Sequence, residues 1–260
     1  MFWNPLLAAA LAAGGVLYWL GVRWAGRRRL LGRPGASFIL YYLHLAPTPW
    51  AYIAFRSLPG CELLAAAGGL PAGPLAGRLL RRRGVVGTAW HAPALAVAGV
   101  LIALPFLKPI LLPAEALGRV GDAWDGPAGL QTTPATCGPA PLATSFAACG
   151  QRRREREIAR ACYSCASGTE LWYLLRDARR HGLQADYIPA QTLVEVPVPA
   201  LVGVALGNPG IAQAGHFIAV IARDEASVTI ADPLTGRQRC LLGHIPHRYR
   251  QVQDVIHFHR

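Results

Sequence analysis

The chain has 260 residues, 53% of them hydrophobic, and a formal net charge of +12 from 26 basic and 14 acidic residues. Arginine supplies nearly all of the excess, Lys108 being the single lysine, and much of it lies in clusters such as Arg27-Arg28-Arg29 and Arg81-Arg82-Arg83 directly beside apolar runs. Clusters in that position mark the ends of membrane helices, and no nucleic-acid motif accompanies them, so binding to nucleic acid is set aside.

The first ~110 residues are dominated by Ala, Leu, Gly and Val, whereas the rest has a mixed globular composition and is long enough to bury its own core. A membrane region is therefore expected over 1–115, with about four helices near 3–22, 36–56, 61–77 and 86–112. Leu6 to Gly21 is apolar throughout, and ~20 such residues cross a bilayer. Positive charge follows this run, at Arg23, Arg27, Arg28, Arg29 and Arg33, where a cleaved signal peptide carries it in front; a retained helix with its N-terminus outside is the expectation. The 36–56 segment has Tyr41, Tyr42, Trp50 and Tyr52 for the interface and Pro47 and Pro49 to bend it. The 61–77 segment is short and broken by Gly68, Gly69, Pro71, Gly73 and Pro74. The last, which carries His91 near its start, has no acidic residue. If all four cross, both arginine clusters are cytoplasmic and the C-terminal domain is extracytoplasmic; if 61–77 does not cross, that domain faces the cytoplasm. The first arrangement, a multi-pass protein, obeys the positive-inside rule and is the one expected.

The domain over 120–260 holds the chemistry. In Gln131-Thr-Thr-Pro-Ala-Thr-Cys137-Gly138-Pro139-Ala140, the Cys-Gly-Pro reads as a turn into a helix, since proline suits a first turn whose N–H groups have no partner. A cysteine there sits at the positive end of the helix dipole, which favours the nucleophilic thiolate. A glutamine six residues upstream can aim its amide N–H at the same point and stabilise an oxyanion. Further on, His216 to Ala222 and Ala226 to Asp232 read as a hairpin with a three-residue loop, which would set His216 directly opposite Asp232. A carboxylate so placed holds one imidazole nitrogen and leaves the other to serve the thiol. A cysteine with a distant histidine and acid is the pattern of a thiol hydrolase.

With these residues in view the sequence resembles the C39 peptidase family, a papain-like group best known as bacteriocin-processing domains of peptide exporters, which cut after a Gly-Gly pair in a leader peptide. The resemblance lies in Gln131…Cys137-Gly138-Pro139-Ala140, Gly168-Thr169-Glu170-Leu171, Gly182-Leu183-Gln184-Ala185, Gly215-His216-Phe217 and Asp232-Pro233-Leu234-Thr235-Gly236, in the family's order over about 125–260. It implies Cys137 as nucleophile, His216 as general base, Asp232 orienting it and Gln131 in the oxyanion hole, on an α+β fold with the cysteine helix packed on an antiparallel sheet. Two features depart from the exporters. No phosphate-binding Gly-x-x-x-x-Gly-Lys-[Ser/Thr] occurs, so ATP is not a partner, and the domain follows its membrane helices instead of preceding them.

Elsewhere in the domain, Ser167-Gly-Thr-Glu170 reads as a capping box opening an amphipathic helix through Leu171, Leu174, Leu175 and Ala178 and ended by Gly182. Strands are expected near 186–188, 200–205 and 255–258, with a further segment at 249–252. Cys149, Cys162, Cys165 and Cys240 read as disulfides or thiols; Cys162-x-x-Cys165 lacks the second pair that a zinc site needs. His244, His247, His257 and His259 lie among arginines and read as surface histidines rather than metal ligands. The expected activity is a membrane-anchored cysteine peptidase acting on a peptide or protein, with no cofactor or metal. A non-cleaving peptide-binding module and a thiol acyl transferase are the alternatives.

Overall fold

The computed structural model describes residues 4, 6–24, 91–188, 190, 192–206, 214–249 and 252–259. The expected helices at 36–56 and 61–77 and the arginine clusters after residue 24 lie outside the described residues. The chain divides into two units, Trp3–Lys108 and Pro109–Arg260.

The first unit contains α1 (Leu6–Trp24) and most of α2 (His91–Leu111). Asn4 opens α1, its side-chain Oδ1 accepting the N–H of Leu6 at 3.0 Å. The two helices meet through Leu7, Ala10, Ile102 and Phe106. His91, which the sequence leaves at an interface, is engaged with α1: its Nδ1 lies 2.9 Å from the Tyr18 hydroxyl and its ring stacks at a tilt on Trp19. Among the described residues one segment, Leu6–Arg23, is long and apolar enough to cross a membrane. They give the multi-pass arrangement no further support.

The second unit is α+β, as expected. A six-stranded antiparallel sheet has the order β3-β8-β4-β5-β6-β7, formed by β3 (Gln184–Ile188), β4 (Ala200–Leu206), β5 (Ala214–Arg223), β6 (Ser227–Asp232), β7 (Gly236–Leu241) and β8 (Val252–His259). A small hairpin, β1 (Ala123–Asp125) and β2 (Ala128–Leu130), precedes α3 (Pro139–Ala148), which packs on β5 and β2. Next come α4 (Glu155–Ala161) and α5 (Leu171–Arg180). One sheet face buries Val202, Val204, Ile218, Val220, Val228, Ile230 and Val255 with Tyr249 in a single apolar cluster. On the other, the small Ala219 and Ala231 sit against Ala128 of β2. Alternation along a strand then puts His216 on the face of Ile218 and Val220, and Asp232 on the face of Val228 and Ile230, which is one and the same face.

Several expectations are corrected. Arg223 pairs with Val228, so the hairpin loop has four residues, not three. Asp224 selects it, accepting the N–H groups of Ala226 and Ser227 and the Ser227 hydroxyl. One extra loop residue would flip the faces. A register shift between Val220 and Ala222 cancels it, and Ala219 then pairs with Ala231. Continued along the strands, this register sets Asp232 opposite Ile218, so that His216 is its diagonal neighbour and not its direct partner. The helix α5 buries Leu171, Leu174, Leu175 and Ala178 and is closed by Gly182 at φ +82°, as expected, but its start is no capping box: Glu170 is the N-cap and its side chain makes no capping bond, and Ser167 Oγ meets Cys165 Sγ at 3.1 Å.

Tight contacts hold α3 in place. A Cβ on Gly129 would stand 2.8 Å from the carbonyl oxygen of Ala140, a backbone atom that cannot turn aside. Gly129→Ala should therefore cost roughly 1–3 kcal/mol by overpacking and lower the melting temperature by several degrees in a thermal scan. An unchanged transition would show that the helix is free to shift.

Candidate active site

Segment 131–137 connects β2 to α3, and threonines shape it. Thr136 Oγ1 donates to the Thr133 carbonyl at 2.9 Å and accepts from Thr133 N–H at 3.2 Å, while Thr136 N–H closes the turn on the same carbonyl. Helical bonding starts at once, with Ala140 N–H on the Thr136 carbonyl at 3.1 Å. Pro139 and Pro141 bring no N–H, so the donors at this end are the first-turn N–H groups of Cys137 and Gly138. Gly138 has no room for a side chain, since its Cβ would lie 3.0 Å from Leu174 and 3.3 Å from Thr169. Cys137 is half-buried, open to an approaching reactant, at the start of a helix as the sequence predicts.

His216 and Asp232 come together. His216 Nε2 lies 2.9 Å from Asp232 Oδ1, with both residues almost fully buried. A carboxylate only accepts, so Nε2 carries the proton, and Nδ1 is the nitrogen left for Cys137, whose side chain hydrogen-bonds the imidazole. Burial works against a charge on His216, but the bonds to Asp232 and Cys137 outweigh it and raise its pKa to about 9. Burial likewise pushes Asp232 up, and its bonds from His216, Tyr249 and the Leu234 N–H outweigh this and hold it at about 2.

Tyr249 joins the pair with no sequence pattern to announce it. It is fully buried and donates its hydroxyl proton to Asp232 Oδ2 at 2.7 Å. The Leu234 N–H, bonded to Oδ1 at 2.9 Å, completes the carboxylate's environment through an Asx turn. That turn could be read from Asp-Pro-Leu-Thr-Gly; Tyr249, in a short 3-10 turn with no periodicity, could not.

Gln131 is placed beside this turn, its backbone N–H on the Pro233 carbonyl at 3.0 Å. Its side chain folds back on its own loop: Nε2 donates to the Thr133 carbonyl at 3.1 Å, and the buried Oε1 has no hydrogen-bond partner among the described residues. One amide proton remains for another acceptor.

Cys137, Cys149, Cys162, Cys165 and Cys240 are all thiols, so no disulfide forms among them. Each occupies different surroundings: Cys162 donates to the Tyr173 carbonyl, Cys165 meets Ser167 and Gly168, and Cys240 belongs to the main sheet cluster. Burial drives the Cys162 thiol well above its usual range, assisted by Asp177, which makes it inert. His244 and His247 are exposed, while His259 lies 3.3 Å from Asp186.

Solved structures that resemble the chain include three peptidase domains. One is the peptidase domain of Streptococcus ComA, a bi-functional ABC transporter involved in a quorum-sensing pathway, at 18% identity and TM-score 0.41 over 50% of this chain and 94% of that one. Another is a double glycine motif protease from an AMS/PCAT transporter, in complex with a leader peptide, at 18% identity and TM-score 0.42 over 54% and 93%. The third is the peptidase domain of Streptococcus mutans ComA, at 17% identity and TM-score 0.34 over 50% and 97%. No family profile matches the sequence, and no curated protein does.

A group whose pKa is raised by folding stabilises the fold below its unfolded value and ceases to do so as the pH passes its folded value. The His216 contribution, on the order of 3 kcal/mol for a shift from 6.5 to about 9, is thus complete below about 6.5 and lost through about 9. The Asp232 contribution, which is the same interaction seen from its partner, is lost in acid through about 2. An NMR titration of the His216 ring should give a midpoint near 9. It should fall toward about 6.5 in Asp232→Asn. A midpoint unmoved in Asp232→Asn would deny the pairing.

Proposed function

We propose that this protein is a membrane-anchored cysteine peptidase that hydrolyses a peptide or protein substrate. What supports the reading above all is one constellation: a half-exposed thiol at a helix start, in contact with a buried imidazole whose other nitrogen is held by a buried carboxylate. His216 takes the proton of the Cys137 thiol. The Cys137 sulfur attacks the scissile carbonyl carbon, and the C=O electron pair moves onto oxygen. The first-turn N–H groups of Cys137 and Gly138, with the remaining amide proton of Gln131, receive that charge. Collapse breaks the C–N bond as the imidazolium gives its proton to the leaving amine, leaving a thioester. Water then attacks the thioester while His216 takes a proton from it, and a carboxylic acid leaves as the thiolate is restored. Asp232, braced by Tyr249, keeps the imidazole in the required tautomer and orientation.

Helix α1 is the membrane anchor in this reading. The further crossings at 36–56, 61–77 and 86–112, and an extracytoplasmic peptidase domain, are part of the same proposal and follow from the arginine distribution. A reporter fused after residue 260 should be active outside the cytoplasm, and activity confined to the cytoplasmic side would reverse the topology.

The purified protein is predicted to cut members of a peptide library read by mass spectrometry, and to take up iodoacetamide at Cys137 near neutral pH. Cys137→Ala should abolish both while leaving the circular dichroism unchanged. Labelling without cleavage would point to a peptide-binding module, and products joined to an added amine to an acyl transferase. Cleavage surviving in Cys137→Ala would refute the assignment.

A further inference from the structure

Glu155, the first residue of α4, is only 2% exposed, and both of its carboxylate oxygens are taken by one residue. Oε1 accepts the Thr132 N–H at 2.9 Å, and Oε2 accepts the Thr132 hydroxyl at 2.9 Å. That hydroxyl in turn accepts the Gly121 N–H at 2.8 Å. Asp122 adds like charge nearby. Burying a carboxylate costs free energy that an apolar residue in the same space would avoid, so its presence calls for a return elsewhere.

The return lies in the two neighbours of Thr132. Gln131 precedes it and is tied by its own N–H to the Pro233 carbonyl, next to Asp232. On the other side, the Thr133–Thr136 turn leads within five residues to Cys137. The segment is therefore pinned at Gln131 to the turn that carries Asp232 and at Thr132 to the buried carboxylate of α4. With both pins in place, the start of α3 has one position relative to His216. Without the second, the segment keeps the Gln131 bond, its own threonine turn and the packing of Ala135 on Ala114, Val120 and Ala159.

We propose that Glu155 is a positioning residue of the same site: through Thr132 it fixes segment 131–137, and so sets the Cys137 sulfur and the Gln131 amide against His216. The inference rests on the cysteine peptidase reading. It concerns a residue that touches no substrate and acts through Thr132 alone.

The test is the rate of Cys137 alkylation by iodoacetamide across pH, measured on the full-length protein by mass spectrometry, with circular dichroism as the control for folding. In the wild type Cys137 should be alkylated readily near neutral pH, because His216 stands in position to take its proton. In Glu155→Ala the rate at pH 6 should fall roughly tenfold or more, since a displacement of about 1 Å can cost a hundredfold at a reacting centre. Glu155→Gln keeps an acceptor for the Thr132 N–H and should recover most of the rate. Thr132→Val, which removes the hydroxyl bond but keeps the N–H bond, should give an intermediate loss and serves as the second variant if Glu155→Ala does not fold. Folded Glu155→Ala or Thr132→Val protein with a wild-type profile would overturn the inference. A wild type whose alkylation tracks an ordinary thiol would instead remove the peptidase reading, and the inference with it.

Discussion

One buried hydrogen bond, from His216 Nε2 to Asp232 Oδ1, sets the demands that the rest of the domain meets. A charged pair taken out of water holds only if every other polar atom of the two side chains finds a partner. Asp232 Oδ2 finds the Tyr249 hydroxyl, Oδ1 takes a second bond from the Leu234 N–H, and the free imidazole nitrogen turns to Cys137. The cluster of Val204, Ile218, Val220, Val228 and Ile230 beside it excludes water and fixes the strands that carry the pair. Chemistry and fold stability are thus drawn from the same contacts, and loosening either partner costs both.

The sheet meets the first demand by an indirect route. A hairpin with a three-residue loop would place histidine and aspartate directly opposite; the chain builds a four-residue loop around Asp224 and then absorbs the added residue at Ile221. The turn moves the register by three residues and the bulge takes one back, and the net displacement of two leaves the parity of the strands unchanged. For this reason the shared face of His216 and Asp232 could be read from the sequence although their exact pairing could not: alternation is a property of each strand, whereas register depends on turn chemistry and on a bulge that no residue announces. The same division runs through the domain. The α5 helix was legible in its apolar spacing. In contrast, α4 lies in an Arg- and Glu-rich run, and β7 (Gly-Arg-Gln-Arg-Cys-Leu) shows too few apolar positions to read as a strand. Tyr249 and Glu155 were hidden for a related reason. Each acts through a partner distant in sequence, 17 and 23 residues away, and no local pattern encodes such a contact.

Charge is divided as unevenly as hydrophobicity. Residues 1–108 carry eleven basic side chains and one acidic, whereas 109–260 carry fifteen and thirteen. The pI near 10 is consequently a property of the apolar region, and the domain with the thiol is close to neutral. A nearly neutral domain has little long-range field with which to gather a charged substrate. In the proposed peptidase, selection of substrate would then fall to short-range contacts around Cys137, together with an α1 anchor that confines encounters to whatever passes close to the bilayer. Such an anchor would take over the role that electrostatic steering plays in freely diffusing enzymes: it would raise the local concentration of one class of partner without any contact that discriminates among them. A site served in this way would need little affinity of its own, which suits a half-buried thiol at a helix start.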